Sequence, residues 1–156
     1  MKQALFECSK DIEKAEWASY ENFALKVLQC FADWAYEERI FVNAKEVYTE
    51  MTFSYYKEKM QLEEEIFPAW MNGTADLIIQ NKDGDFVVLD YKSDYAPYLD
   101  GDKFEQSLSE MYKNQLLEYR YAVSRLFDVK EEMVRLGILS FDGMDELIIR
   151  YTEINS

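Results

Sequence analysis

Asp76, Asp90 and Lys92 lie in the stretch Gly73–Asp94, GTADLIIQNKDGDFVVLDYKSD, and they are the residues of this chain best suited to do chemistry together. Two carboxylates that close repel each other unless a cation lies between them. Oxygen-only ligands suit a hard divalent ion such as Mg²⁺, which takes one or two protein carboxylates, keeps several waters and uses substrate phosphate for the rest. A lysine beside such an ion can orient a water and offset charge developing on a phosphate, while the metal acts as Lewis acid. The bland alternative is a hairpin with solvated acidic strand ends and Lys92 as a surface ion-pair partner. For Asp-x-Lys alone that reading is preferable; for the whole stretch it is not.

The elements that must position these groups are two short strands. Leu77-Ile78-Ile79 and Phe86–Leu89 are aliphatic and aromatic runs of the strand kind, and Lys82-Asp83-Gly84 is the turn between them. Side chains alternate along a strand, so Asp90 and Lys92 share a face. A two-residue loop at Asp83-Gly84 would set Asp76 opposite Tyr91, on the wrong face. A three-residue loop, with Gly84 in the left-handed position that closes a bulge, sets Asp76 opposite Asp90, and this is the register expected.

The order Gly-x-x-Asp-Leu-Ile-Ile, a short Asp-Gly turn and Val-Val-x-Asp-Tyr-Lys-Ser-Asp resembles the signature of the PD-(D/E)XK nuclease superfamily, in its RecB-like branch, which includes the nuclease domains of RecB and AddA helicase-nucleases. Gln115 and Tyr119, in KNQLLEYRYAV, are similar to that branch's Gln-x-x-x-Tyr helix motif, and the resemblance covers roughly residues 45 to 141. It implies a restriction-endonuclease-like α/β core with a mixed central β-sheet flanked by helices. It also implies a Mg²⁺-dependent DNA nuclease, with Mn²⁺ as a substitute ion. On this reading Asp76 and Asp90 ligate metal, Lys92 is catalytic, Gln115 and Tyr119 shape the site, and the carbonyl of Leu89 or Tyr91 completes the coordination. Glu50 resembles the glutamate of the family's first strand and could reach metal through a water or hold the lysine; as an outward-facing strand residue it would do neither. The chain departs from the family in one respect. It has no histidine, and the family's helical Gly-x-x-x-His falls at Glu21 and Leu25. Glu21 is either a substitute oxygen ligand or a solvated helix residue.

Composition bounds the rest. A length of 156 residues suits one domain, residues 1–156, comprising a helical segment 9–38 and a nuclease core 45–151. The chain is 49% hydrophobic and 16% aromatic, which argues for a folded globule. No run is long enough to span a bilayer and no signal-peptide pattern opens the chain, so a cytoplasmic protein is expected. Cys8 and Cys30, if on one helix, would stand roughly 30 Å apart, beyond disulfide reach. Two cysteines also cannot supply the four-cysteine iron–sulfur cluster of some RecB-like relatives.

Acidic residues outnumber basic ones 31 to 17, a formal charge of −14 that should repel DNA. A helicase partner or fused helicase domain bringing the DNA in would resolve that conflict, and the chain has no Walker motif of its own. The expected function is phosphodiester hydrolysis in DNA, exonucleolytic, in repair or recombination. The alternative is a nuclease-like domain without cleavage that binds a protein or a DNA end.

Along the remaining chain, apolar residues at Tyr20, Ala24, Val27, Leu28, Phe31, Trp34 and Ala35 predict a helix within 9–38 whose stripe packs in the core. Lys45–Phe53 predicts a strand with Val47, Thr49, Met51 and Phe53 on one face. Ser54–Asn72 reads as an irregular excursion broken by Pro68, with Tyr56 and Trp70 in the core rather than stacked on a base. Ser93–Gly101 reads as a loop and Lys103–Phe127 as a helix. Met133–Phe141 and Leu147–Tyr151 read as a closing hairpin around Asp142-Gly143.

Overall fold

The computed structural model describes residues 14–62, 65–92, 101–142 and 148–154. Helix α1 (Lys14–Glu37) precedes strands β1 (Ala44–Leu62), β2 (Glu65–Asn81) and β3 (Phe86–Lys92). Helix α2 (Gly101–Phe127), a short 3₁₀ turn (Glu131–Met133), β4 (Val134–Asp142) and β5 (Ile148–Glu153) follow. The strands form one mixed sheet in the order β1-β2-β3-β4-β5. All neighbours are antiparallel except β3 and β4. Parallel neighbours need a crossover, and α2 is that crossover. The α/β class, the mixed sheet and the flanking helices agree with a restriction-endonuclease-like core.

The β2–β3 connection takes the three-residue form. Asn81 N–H donates to Asp85 O at 2.8 Å, and Gly84 sits at φ 96°, where a side chain would be strained. Leu77 therefore pairs with Leu89 and Ile79 with Val87, and the next step of that register sets Asp76 opposite Asp90.

A strand covered on both faces must be apolar throughout, and β3 is buried from Phe86 to Asp90. On one face Ile78, Phe86, Val88, Leu136 and Ile138 pack with Leu108, Leu116 and Val123 of α2. On the other, Leu77, Ile79, Val87, Leu89 and Leu139 meet Phe31 and Trp34 of α1.

Three expectations are corrected. The α1 stripe is only partly core: Phe31, Trp34 and Ala35 pack, but Tyr20 and Leu28 are exposed. A 24-residue helix is about 36 Å long, and the sheet covers only its C-terminal turns.

The single alternation expected for Lys45–Phe53 breaks at Glu50, which takes φ 50°. Tyr48 before it and Met51 and Phe53 after it all join the α2-side core, while Val47 is exposed.

The irregular excursion is instead a pair of long strands. Beyond Leu77, β2 leaves β3 and continues with β1 as a two-stranded arm. Pro68 is accommodated because it lies where the ladder slips, between the pairs Lys57↔Ala69 and Met60↔Phe67. Tyr56 and Trp70 are exposed. Cys8, residues 93–100 of the Ser93–Gly101 loop, and Gly143 lie outside the described residues. Among the described residues no helix is long and apolar enough to cross a membrane.

Candidate active site

The sheet delivers Asp90 and Lys92 to the α2 face at the C-terminal end of β3. Asp90 is only 2% exposed, and the Lys92 ammonium lies 2.6 Å from its Oδ2. Asp90 Oδ2 is buried, and the Lys92 ammonium is the partner it faces. Burial pushes the Asp90 carboxyl above the usual carboxylate range and the nearby Asp76 charge adds to this; Lys92 opposes it. Burial pulls the Lys92 ammonium down, but the bond and charge of Asp90 outweigh that and raise it, so the lysine stays cationic. Its Nζ also sits 4.1 Å over the Tyr112 ring.

Helix spacing brings Gln115 and Tyr119, four residues apart, onto the face that meets this pair. Gln115 Oε1 accepts from Lys92 Nζ at 3.4 Å, and its Nε2 donates to Asp90 Oδ1 at 3.5 Å. The same Nε2 donates to Tyr119 Oη at 2.6 Å, and Tyr119 in turn donates to the Thr74 carbonyl at 2.8 Å. One polar chain thus links β3, α2 and β2. Its last step needs Gly73, because the Phe53 ring lies across that residue where a side chain would stand.

Asp76 does a structural job as well. Its Oδ2 accepts the Tyr91 backbone N–H at 2.7 Å, satisfying a donor stranded where β2 parts from β3. Glu50 stands across from Asp76, between the pairs Thr49↔Leu77 and Met51↔Ala75, at the left-handed kink and exposed to solvent. Tyr91 stacks edge-on against Phe31 at 6.0 Å. Its phenol is pushed up to about 12 by burial and by the charges of Asp76 and Glu50.

The structure therefore brings Asp76, Asp90, Lys92, Gln115 and Tyr119 together, with Glu50 and Tyr91 on the Asp76 side. Among the described residues no three carboxylates, thiols or imidazoles gather as a ready-made metal cage, so Glu21 does not complete a three-ligand set. Leu25, where the family histidine would fall, is 40% exposed. The donor set still fits an ion that asks the protein for one or two carboxylates. Its ligands are all oxygen, and Asp90 is a buried carboxylate with Asp76 nearby.

Sequence reasoning missed Gly73, Thr74, Tyr112 and Ser140. Ser140 is the register partner of Lys92 on β4, fully buried, and its hydroxyl has no hydrogen-bond partner among the described residues. Only Gly73 carried a signal, as the glycine that opens the Asp76 motif. A cleft of about 290 Å³ opens beside Gln115 and Tyr119, between α2 and the arm. A larger apolar groove of about 800 Å³ at the end of α1 contains none of these residues.

The family model of the PD-(D/E)XK nuclease superfamily matches residues 3–147. Among curated proteins none matches. The chain is similar to a solved structure, the crystal structure of SSO0001, at 12% identity and a TM-score of 0.37. That comparison covers 98% of this chain and 62% of the other.

Proposed function

The chain belongs to the PD-(D/E)XK nuclease superfamily, and on that footing we propose that it is a metal-dependent deoxyribonuclease of the RecB-like kind, acting from strand ends. The observation that carries the proposal is Asp90: a buried carboxylate paired with Lys92 at 2.6 Å and braced by Gln115.

In this reading Asp76 and Asp90 hold Mg²⁺ or Mn²⁺, with the Tyr91 carbonyl as a further oxygen donor and Glu50 reaching the ion through a water. The bound ion supplies Lewis-acid polarisation of the phosphate and a more acidic water. Lys92 stabilises the negative charge that grows on the phosphate oxygens. Gln115 keeps Asp90 and Lys92 aligned through one amide, and Tyr119 fixes that amide by anchoring it to the Thr74 carbonyl. A net charge of −14 is poorly suited to gripping DNA unaided. That supports work beside a helicase, fused or separate, in cytoplasmic DNA repair or recombination.

The test is cleavage of end-labelled linear single- and double-stranded DNA at low salt, with Mg²⁺ and then Mn²⁺. Wild-type protein is expected to shorten the label, and Asp90→Ala and Lys92→Ala to abolish it. A chain that cuts nothing with either ion and shows no metal binding by calorimetry would overturn the proposal in favour of a binding module.

A further inference from the structure

Strand β4 is buried, and Leu136, Ile138 and Leu139 are the apolar residues that a strand covered on both faces calls for. Ser140 breaks the run. It is fully buried, and its hydroxyl has no hydrogen-bond partner among the described residues. A buried hydroxyl left alone costs stability that an alanine there would not. Such a departure from good core chemistry is expected where a residue serves a site.

The register shows which part of the site it serves. Leu136 and Ile138 belong to the core under α2, so alternation turns Ser140 to that same face. In the parallel β3–β4 ladder Asp90 pairs with Ile138, and Lys92 pairs with Ser140. Neighbouring strands stand about 4.8 Å apart, a gap that a lysine side chain crosses readily. Thr152 is the other buried hydroxyl without a partner among the described residues, but it pairs with Ile138 from β5, one strand further from Lys92.

The Lys92 ammonium has three donors to place. Asp90 holds it at 2.6 Å, Gln115 Oε1 accepts from it at 3.4 Å, and the Tyr112 ring lies 4.1 Å beneath it. The contact with Asp90 is the closest of these and also the one that must give way. A divalent cation on the Asp90 carboxylate competes for the same oxygens and repels the ammonium. Gln115 and Tyr112 then still hold the lysine, and the donor that Asp90 releases needs a new acceptor. The Ser140 hydroxyl is an acceptor beside Lys92 that holds nothing else.

We infer that Ser140 is a positioning residue for Lys92, its hydroxyl accepting the ammonium once Asp90 is given over to a cation, so that the lysine stays beside the site. The inference rests on the nuclease reading for the cation that takes Asp90, and on the sheet alone for the pairing of Lys92 with Ser140.

The experiment is a mutant cycle read by urea unfolding at neutral pH in EDTA, where no metal is needed. In the wild-type background Ser140→Ala should not lower the unfolding midpoint. In Asp90→Ala, where the ammonium has lost its carboxylate, Ser140→Ala should lower the folding equilibrium constant about tenfold or more, the worth of a hydrogen bond to a charged group. Adding Lys92→Met should cancel that loss. Ser140→Cys keeps the bulk but offers only a weak acceptor, so it should behave as Ser140→Ala does. Mg²⁺ calorimetry gives a second arm with Asp90 intact: Ser140→Ala should weaken binding about tenfold, and should not do so in the Lys92→Met background. A loss from Ser140→Ala that is the same with and without Asp90, or that persists without Lys92, would overturn the inference and leave Ser140 a packing residue. Coupling of Ser140 to Lys92 in Asp90→Ala, in a chain that binds no Mg²⁺, would support the pairing and remove the nuclease reading. Mg²⁺-dependent cleavage with no coupling in either arm would do the reverse.

Discussion

Gly73→Ala tests the packing that holds the candidate site together. A Cβ at Gly73 would come within 2.7 Å of Phe53 Cζ, 2.8 Å of Phe53 Cε2 and 3.3 Å of Tyr119 Cε1. Carbon atoms pack best at about 3.5–4.0 Å, so the added methyl overlaps the Phe53 ring by close to an ångström. The ring is flanked by Tyr119 at 5.5 Å and Tyr55 at 6.2 Å, so any retreat is towards the cleft that it lines beside Gln115. Overpacking of this kind costs about 1–3 kcal/mol. For a chain of this length that is a fall in Tm of about 2–12 °C. Any shift of Tyr119 is passed to Gln115, whose bond to Asp90 is already 3.5 Å long. The assay is thermal unfolding of Gly73→Ala, Phe53→Leu and the double variant. Leucine removes the colliding ring atoms, so the double variant should be more stable than the sum of the single effects by about 0.5–3 kcal/mol. A Gly73→Ala protein as stable as wild type, or strict additivity, would refute the reasoning.

Three further outcomes are expected. Lys92→Ala should lower cleavage by about 100-fold or more while calorimetry still detects metal binding, because the lysine acts on the phosphate and not on the ion. Tyr119→Phe leaves the Thr74 carbonyl without its donor and Gln115 without its anchor; it should cost about 1 kcal/mol in denaturant unfolding and reduce cleavage less than Lys92→Ala does. Tyr55 is held above the ordinary phenol range by burial and by its bond to Glu118, so the folded state binds its proton more tightly than the unfolded chain. That stability is fully present below about pH 10 and lost as pH rises towards the folded-state value. Between about pH 9 and pH 11, wild type should therefore lose more Tm than Tyr55→Phe.

The hairpin register was legible because, of the two-residue and three-residue loops that Gly84 could close, only the three-residue one brings Asp76 and Asp90 level, and that loop is found. Both helices were legible from periodicity, and the closing pair of strands from the apolar runs on either side of Asp142-Gly143. What escaped was tertiary. The left-handed Glu50 carries no local mark, yet it moves Met51 and Phe53 to the face that Tyr48 already occupies. Pro68 suggested a break, but the proline sits at a slip in the ladder and the strand continues past it. Trp70 and Tyr56 looked like core residues because large rings usually are; nothing local told that β2 would already have left β3. The bond from Asp76 to the Tyr91 amide could not be foreseen either, since it follows from that same parting.

Strand β1 lies at the border of the sheet for its whole length of 19 residues, with no strand on its far side among the described residues. Such a border offers unpaired amides and carbonyls as a template on which other chains can polymerise. The kink at Glu50 bears on this hazard. By reversing the alternation partway, it divides one long template into two shorter ones whose faces are out of phase. Lys45, Glu46 and Glu50 add exposed charge along the first of them. The same backbone distortion that sets a carboxylate across from Asp76 thus also guards the protein against edge-to-edge aggregation.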